Sequence, residues 1–316
     1  MRRYAILFAL VSLLLPVTAF SQTRTPEAAV NLFKTGLTKT GNGDLDGAIE
    51  DYTRAIRLSS TFGTRNKSGN SFSETTDTST EEITVIDPFT ANVYTNRGLA
   101  RYRKGDYAGA IEDLNEALRI RPGLAVAYLN RAAAFRASGD TTSAIKDLDK
   151  AISLNKDFFQ AYNNRGSLHL DRGDSKAALA DLNHAIELNN KVGETFYHRG
   201  FTYLALKDFN AAIADFNRAL ELEPRRAWAY HGRGTGWMYK GEMMRAIDDF
   251  NRALELDPKI AWAYFNRGLV WVYLGEEEKG QKDFTECLRL KPGLKAELEP
   301  RIELARQLRR IGKPLE

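Results

Sequence analysis

Apolar residues recur along most of this chain at the three- and four-residue spacing of amphipathic helices, and the stripes come in pairs. In the segment 159–192, one stripe precedes Gly173 and a second follows Asp174. Glycine suits the left-handed position that ends a helix, and aspartate suits the cap that begins the next one. The pattern therefore predicts a unit of two helices joined by a tight turn.

This unit repeats with a period of 34 residues, and an Arg-Gly pair marks each first helix. The pairs are Arg97-Gly98, Arg165-Gly166, Arg199-Gly200, Arg233-Gly234 and Arg267-Gly268, with Arg131-Ala132 in the remaining place. Six contiguous repeats cover 91–124, 125–158, 159–192, 193–226, 227–260 and 261–294, and a divergent first repeat covers 29–62. A fixed period of this size indicates stacked hairpins that bury their apolar faces on one another.

Two further segments do not follow the repeat. Residues 63–90 are rich in serine, threonine and acidic residues, a composition that cannot bury a core, so we predict a flexible insertion there. Residues 295–316 return to helical spacing, which predicts a helix and tail that cap the last repeat.

A column of aspartates accompanies the arginines, 16 residues after each of them. We predict six structural ion pairs inside the hairpins: Arg97–Asp113, Arg131–Asp147, Arg165–Asp181, Arg199–Asp215, Arg233–Asp249 and Arg267–Asp283. The alternative is an arginine row that reads acidic ligands, but each arginine already has a matching carboxylate. The first repeat keeps Asp51 without an arginine, since Thr35 stands in that place.

The N-terminus has the pattern of an export signal. Arg2 and Arg3 precede an apolar run over 4–15, and small residues at Ala19 and Ser21 suit cleavage that leaves residues 1–21 as a signal peptide. The run is shorter than the roughly 20 residues that span a bilayer. We therefore expect an exported protein, periplasmic or secreted, with an uncleaved membrane anchor as the alternative.

Charge and chemistry narrow the function further. The 45 basic and 41 acidic residues form no basic stripe of the kind that binds nucleic acid. Cys287 is the one cysteine and stands in a column of alanines, which predicts a small buried side chain. His198 and His231 lie on adjacent first helices, but no third ligand joins them. We predict no metal, cofactor or catalytic group, and keep an enzyme with a dispersed metal site as the alternative.

The residues Tyr162…Gly166…Gly173-Asp174…Ala178…Ala185 resemble the tetratricopeptide repeat (TPR). The resemblance extends over all seven repeats. It implies an all-α, right-handed α-solenoid of helix-turn-helix units, whose first helices line a concave groove that holds extended peptides or partner helices. It also implies a non-enzymatic scaffold for protein–protein interaction, for which envelope assembly and export are candidate roles. Family members that grip a partner's carboxylate use lysine and asparagine, and this chain lacks the lysine.

The columns expected to face the groove change character along the chain. Asparagines dominate the early repeats, and aromatic side chains, which are common anchors in binding sites, dominate the later ones. The predicted partner-binding residues are Asn96, Asn130, Asn164, Tyr197, Phe201, Trp228, His231, Trp262, Phe265 and Asn266. The alternative is that many of the aromatic rings pack between hairpins, as we expect for Trp237 and Trp271. The oligomeric state stays open.

Overall fold

The computed structural model describes residues 25–65, 88–313 and 315. The predicted signal peptide at 1–21 and most of the predicted insertion lie outside these residues. The described chain forms two compact bodies, an N-terminal body that ends at Asn164 and a C-terminal body that begins at Arg165.

Helices account for nearly all of the described chain. The N-terminal body contains α1 (Glu27–Gly41), α2 (Leu45–Arg65), α3 (Pro88–Lys104), α4 (Tyr107–Ile120), α5 (Ala125–Ser138) and α6 (Thr141–Leu154). Both bodies contribute to α7 (Phe159–Asp171). The C-terminal body contains α8 (Ser175–Leu188), α9 (Gly193–Ala205), α10 (Phe209–Leu222), α11 (Ala227–Tyr239), α12 (Met243–Leu256), α13 (Ala261–Leu274), α14 (Glu277–Leu290) and α15 (Lys295–Ile311), with a short 3-10 helix at Pro292–Leu294.

Consecutive helices pack as hairpins, and the hairpins stack. Within the bodies, α3 packs on α4, α9 on α10, and α11 on α12. The second helix of one hairpin also packs on the first helix of the next, as α4 does on α5 and α10 on α11. The predicted all-α solenoid of helix-turn-helix repeats is confirmed. The C-terminal helix α15 packs on α13, in the place predicted for a cap.

The turns follow from their residues. Asp174 caps α8 by accepting a hydrogen bond from the Ala177 backbone N–H at 3.0 Å, and Asp106, Asp140 and Asp208 cap their helices in the same way. The preceding turn residue has a positive φ, which glycine adopts without strain. Lys207 takes this position in one repeat with a φ of 61°. It is the one non-glycine residue with positive φ among those described.

The edges of the predicted insertion are wrong. Helix α2 continues to Arg65, and α3 already begins at Pro88, so 63–90 starts and ends inside helices. Proline at the first position of a helix costs no hydrogen bond, which permits the early start of α3. Phe89 then anchors that turn, because its buried ring lies edge-on to Phe33 with the centroids 5.5 Å apart.

The hairpin cores depend on small residues opposite large ones. A Cβ at Gly200 would meet the Phe216 ring at 2.9 Å. The phenylalanine ring therefore fills the space that glycine leaves. The predicted burial of Cys287 is confirmed, and burial raises the pKa of its thiol to about 11, so the thiol stays protonated and unreactive at neutral pH.

None of the described helices is both long enough and apolar enough to cross a membrane.

Candidate functional site

The arginine column forms bidentate ion pairs within the hairpins. Arg199 Nε and Nη2 each donate to a different carboxylate oxygen of Asp215 at 2.7 Å, and the other five predicted pairs have the same arrangement. The pKa of Arg199 is raised because it donates to this carboxylate. These arginines are therefore committed to structure rather than free to bind a ligand.

A second column, which the sequence analysis missed, completes the arginine contacts. The remaining nitrogen, Arg199 Nη1, donates to Asn183 Oδ1 of the preceding hairpin at 2.8 Å. The same contact joins Arg131 to Asn115, Arg233 to Asn217 and Arg267 to Asn251, while Arg97 donates to Thr53. One guanidinium thus links a hairpin to its neighbour. For the four asparagines, the signal was present in the sequence, as a polar residue 16 positions before the arginine.

The first repeat replaces its missing arginine with two other groups. Thr35 Oγ1 donates to Asp51 at 2.9 Å, and Lys39 Nζ lies 2.8 Å from the same carboxylate. The pKa of Asp51 is lowered. Burial alone would raise it, but the hydrogen bonds from Lys39 and Thr35 stabilise the ionised carboxylate and together outweigh the effect of burial. In every repeat described, the aspartate of this column therefore accepts hydrogen bonds from side chains of the preceding helix.

The predicted asparagine row lies on the first helices and is buried. Asn96 Nδ2 donates to the backbone oxygen of Asn92, one turn earlier, at 3.0 Å. Asn130 and Asn164 occupy equivalent positions on α5 and α7 and are likewise buried. Their role in binding stays a prediction.

Several aromatic residues that we expected to be exposed are buried. Tyr197, Phe201, His231 and Phe265 are only 1–4% exposed. Tyr197 and Phe201 meet edge-on with ring centroids 4.9 Å apart, and Phe201 meets Phe216 of the same hairpin at 5.0 Å. These rings point inward because Phe216 offers them an aromatic surface. Two members of the predicted aromatic row, Tyr197 and Phe201, therefore pack inside the hairpin.

Trp228 and Trp262 are half-buried, unlike their aromatic neighbours. Trp228 lies edge-on to His231 at 5.4 Å between ring centroids, and Trp262 lies 5.2 Å from Phe265. The Lys291 ammonium sits 5.2 Å from the centre of the Trp262 ring. Trp237 and Trp271, assigned to the core side, are also half-buried, and their rings are covered by Arg245 and Lys279 respectively.

A polar cluster joins α11 to α13 beside these tryptophans. It consists of His231, Thr235 and Asn266. Asn266 Nδ2 lies 3.2 Å from His231 Nε2 and 3.1 Å from Thr235 Oγ1, while Thr235 donates back to the His231 backbone oxygen at 2.9 Å. An amide nitrogen only donates, so the Asn266 contact is a hydrogen bond in the tautomer whose Nε2 carries no proton. Among the described residues, His231 Nδ1 has no hydrogen-bond partner.

Burial keeps the His231 ring neutral. Desolvation lowers its pKa to about 4, and a hydrogen bond with the Trp262 backbone, which acts in the opposite direction, is the smaller effect. A neutral imidazole carries one N–H donor and one nitrogen acceptor. Within the ranges that the structure covers, no group of three histidine, cysteine or acidic residues lies close enough to hold a metal ion.

Family comparisons agree with this geometry. Three tetratricopeptide repeat models match residues 89–157, 129–191 and 193–226. Residues 89–191 and 193–226 of the chain belong to the tetratricopeptide repeat family. TPR arrays are scaffolds for protein–protein interaction, and that general role applies to this chain.

Solved structures with a similar fold include other TPR proteins. A TPR protein from Parabacteroides merdae matches with a TM-score of 0.60 at 19% identity, over 90% of this chain and 100% of its own. The pilF protein of Pseudomonas aeruginosa matches with a TM-score of 0.58 at 19% identity, over 71% and 97%. A chain of the Cut9–Hcn1 hetero-tetramer of the APC/C matches with a TM-score of 0.61 at 14% identity, over 83% of this chain and 55% of its own. At such identities the likeness shows the fold alone. No curated protein matches the sequence.

Proposed function

We propose that this TPR protein binds an extended peptide segment of another protein across the first-helix face of its C-terminal body. We define this face by Trp228, His231, Trp262, Phe265 and Asn266. The observation that carries the proposal is the pair Trp228 and Trp262, which stand at equivalent positions of α11 and α13 and are both half-buried. Beside them lies the buried ring nitrogen Nδ1 of His231, which has no hydrogen-bond partner among the described residues.

The neighbouring side chains suit a peptide. Trp228 and Trp262 each leave part of the indole accessible, and such amphipathic rings are common anchors in binding sites. Lys291 holds a positive charge over the Trp262 ring. An acidic side chain of a ligand that binds beside this ring would be attracted to that charge. A peptide with apolar residues for the indoles and an acidic residue near Lys291 meets both features.

The two pairs of tryptophans provide a matched test. A peptide is first selected from a random library against the chain that begins at Gln22, and its affinity is measured by fluorescence anisotropy. Trp228→Ala with Trp262→Ala is expected to weaken binding at least about tenfold, since these are the proposed anchors. Trp237→Ala with Trp271→Ala removes the same number of indoles from the other side and is expected to change affinity less than about threefold.

Circular dichroism at the assay temperature accompanies both variants, so that only folded protein is compared. Equal losses of affinity in the two folded variants would show that the first-helix face is not the binding site. A loss confined to Trp237→Ala with Trp271→Ala would move the site to the opposite side.

We also propose that the protein works outside the cytoplasm, in envelope assembly or export. The support is the pattern of residues 1–21: a basic start, a short apolar run and small residues at the end. Intact-mass analysis of the protein purified from its native cells is expected to show a chain that begins at Gln22. A chain that begins at Met1 and fractionates with membranes would instead favour the retained anchor.

A further inference from the structure

A row of cations without an assigned role lies along one edge of the C-terminal body, in the loops that join one hairpin to the next. Lys191, Arg225 and Lys259 stand 34 residues apart, so they occupy equivalent places in three repeats. All three side chains are exposed, and none forms an ion pair with another described residue. Each lies two residues before the start of a first helix, α9, α11 or α13. We call these three residues the basic row.

The loops that carry the basic row border the first-helix face. The Arg226 guanidinium carbon lies 4.8 Å from the centre of the Tyr197 ring on α9. The Lys291 ammonium, from the loop after α14, lies 5.2 Å from the centre of the Trp262 ring on α13. In both cases a cation of a loop lies over an aromatic ring of a first helix. The loops therefore lie on the same side of the hairpins as the proposed binding face.

Two acidic residues in the same loops, Glu223 and Asp257, have other partners. Glu223 Oε2 accepts a hydrogen bond from Arg226 Nε at 2.7 Å, so this carboxylate is matched by a cation outside the basic row. Asp257 Oδ1 accepts from the Lys259 backbone N–H at 3.0 Å and does not reach the Lys259 ammonium. The side-chain charges of the basic row are therefore available to a ligand.

The other edge of the body, where the turns inside the hairpins lie, has no such excess of cations. It is separated from the basic row by the length of a helix, about 20 Å. There an acidic residue accompanies each basic one, as Asp208 accompanies Lys207 and Glu242 accompanies Lys240. Residues 276–278, at the turn before α14 and in its first turn, are all glutamate. An acidic ligand is therefore attracted to the edge that carries the basic row and not to the other edge.

The spacing of the basic row fits an extended peptide. Helix α11 contacts both α9 and α13, the first helices on either side of it, and helices in contact lie about 8–10 Å apart. A polyproline II segment has three residues per turn and rises about 3.1 Å per residue, so every third side chain returns to the same face after about 9 Å. One such side chain can therefore meet one cation of the row in each hairpin.

We propose that the ligand of the first-helix face is an acidic segment in the polyproline II conformation, with a carboxylate at every third residue and aliphatic residues between them. The carboxylates pair with the basic row. The aliphatic side chains, on the neighbouring face of the segment, pack on Trp228 and Trp262, each of which follows a member of the row by three residues. This inference rests on the proposed function, because it specifies the peptide that the same face binds.

The probe is a fluorescein-labelled peptide of four Leu-Ser-Glu repeats, titrated into the full chain and followed by fluorescence anisotropy. Replacing all three residues of the basic row with glutamine is expected to weaken binding at least about tenfold, because each exposed ion pair contributes a factor of about two to five. The matched variant removes the same charge from three exposed lysines elsewhere in the body, and is expected to change affinity less than about threefold: Lys176→Gln, Lys207→Gln and Lys282→Gln.

Two further peptides test the charge and the spacing of the ligand. Four Leu-Ser-Gln repeats keep the length without the carboxylates and are expected to bind the parent chain at least about tenfold more weakly than the probe. A peptide of the same composition as the probe, with its four glutamates adjacent, is expected to bind several-fold more weakly, because its carboxylates cannot each meet a different hairpin. The proposal is overturned if either peptide binds as tightly as the probe, or if the two glutamine variants bind the probe equally well.

Charge reversal guards against a variant that merely unfolds. Lys191→Glu with Arg225→Glu and Lys259→Glu is expected to bind four Leu-Ser-Lys repeats more tightly than the acidic probe, and unfolding cannot produce such a gain. A reversed variant that is folded by circular dichroism and still prefers the acidic probe would overturn the proposal. Binding of the parent chain to phosphatidylglycerol vesicles but not to the probe would also overturn it, in favour of a membrane surface.

The tryptophan variant separates this inference from the proposed function. If the parent binds the neutral and acidic peptides equally well, and Trp228→Ala with Trp262→Ala weakens both, the acidic ligand is wrong and the binding face remains. If the acidic probe is lost only when the basic row is replaced, the row is supported and the tryptophans are not anchors. If neither peptide binds the parent chain, both proposals are overturned.

Discussion

Arg199 joins three helices through one guanidinium. It lies on α9, pairs with Asp215 on α10 and reaches Asn183 on α8. The side chain of Arg199 is 20% exposed and that of Asp215 is 7% exposed. If the arginine is removed, water can therefore solvate the Asp215 carboxylate only poorly. Burial raises the pKa of Asp215, which marks the carboxylate as poorly solvated and dependent on its donor.

Arg199→Ala is therefore expected to lower the free energy of unfolding by about 3 kcal/mol, measured by urea denaturation at neutral pH. That is the lower end of the range for breaking a buried pair, because part of the guanidinium is accessible to water. Arg199→Leu combined with Asp215→Leu is expected to recover much of the loss, since no unpaired charge is left behind.

Arg218 provides the matched control for this prediction. Its ion pair with Glu221 has the same 2.7 Å distance, but the two side chains are 43% and 63% exposed. Arg218→Ala is expected to change the free energy of unfolding by less than about 1 kcal/mol. If Arg199→Ala and Arg218→Ala denature at the same urea concentration, the arginine column does not have the structural role given to it here.

His231 makes stability depend on pH in a predictable direction. Its folded pKa is about 4, whereas an unfolded histidine has a pKa of about 6.5. As pH falls, the unfolded chain takes up the proton first, so the stabilisation is complete above about pH 6.5 and is lost between about 6.5 and 4. The loss reaches about 3 kcal/mol at most.

The measurement compares the free energy of unfolding of the parent chain and of His231→Gln across this pH range. The difference removes the contributions of the carboxylates, which both chains share. The ring contacts the side chains of Trp228, Phe250 and Asn266, none of which titrates here. Parallel curves for the two chains would contradict a buried, neutral His231.

At the residue scale, the sequence predicted pairings better than exposure. The arginine and aspartate columns keep a fixed spacing inside a hairpin, so Arg199 and Asp215 could be paired from the period alone. The Asn183 contact was equally regular but crosses between hairpins, and it was missed. The burial of Tyr197 and Phe201 could not be read from their own columns, because it depends on the ring of Phe216, a residue of the facing helix.

At the scale of elements, the turn between α9 and α10 is the strained point of the repeat. Lys207 has a φ of 61°, where the equivalent Gly173 and Gly241 have 82°. A residue with a Cβ costs about 1–2 kcal/mol in this conformation. Glycine avoids that cost, but it also gives the unfolded chain more freedom, which offsets part of the gain in stability. Lys207→Gly is expected to stabilise the chain by about 1 kcal/mol, seen as a higher Tm.

The reciprocal substitution is the control for the turn. Gly241→Lys places a lysine in the same left-handed conformation and is expected to lower the Tm by a similar amount. A Cβ at Gly43, an equivalent turn glycine, would meet no atom within 4 Å, so the cost comes from the backbone rather than from crowding. The explanation by backbone strain fails if Lys207→Gly leaves the Tm unchanged.

The existence and type of the helices could be predicted, while some of their ends could not. Fixed glycines and aspartates determine the turns, so the break at Gly173 and Asp174 was correct. Helix α3 begins earlier than the period suggests, because Phe89 packs on Phe33 of the first repeat, a contact that the repeat pattern does not contain. Helix ends thus follow the 34-residue period where glycine and aspartate define the turn. They depart from the period where a tertiary contact, such as that of Phe89 with Phe33, extends the helix.

At the scale of the whole molecule, the chain is a TPR scaffold made of two bodies of stacked hairpins. In the C-terminal body, the second helices hold the aspartates and asparagines that receive the arginines. The first helices hold the polar cluster and the half-buried Trp228 and Trp262. The central claim follows from this arrangement: the first helices bind the partner, and the second helices stabilise the stack of hairpins through their contacts with the arginines.

Photo-crosslinking tests that claim most directly. The library-selected peptide is made with a benzophenone side chain at successive positions, bound to the chain, irradiated and mapped by mass spectrometry. We expect the crosslinked residues to lie on α11 and α13, around Trp228 and Trp262. Crosslinks confined to α10, α12 and α14 would contradict the account.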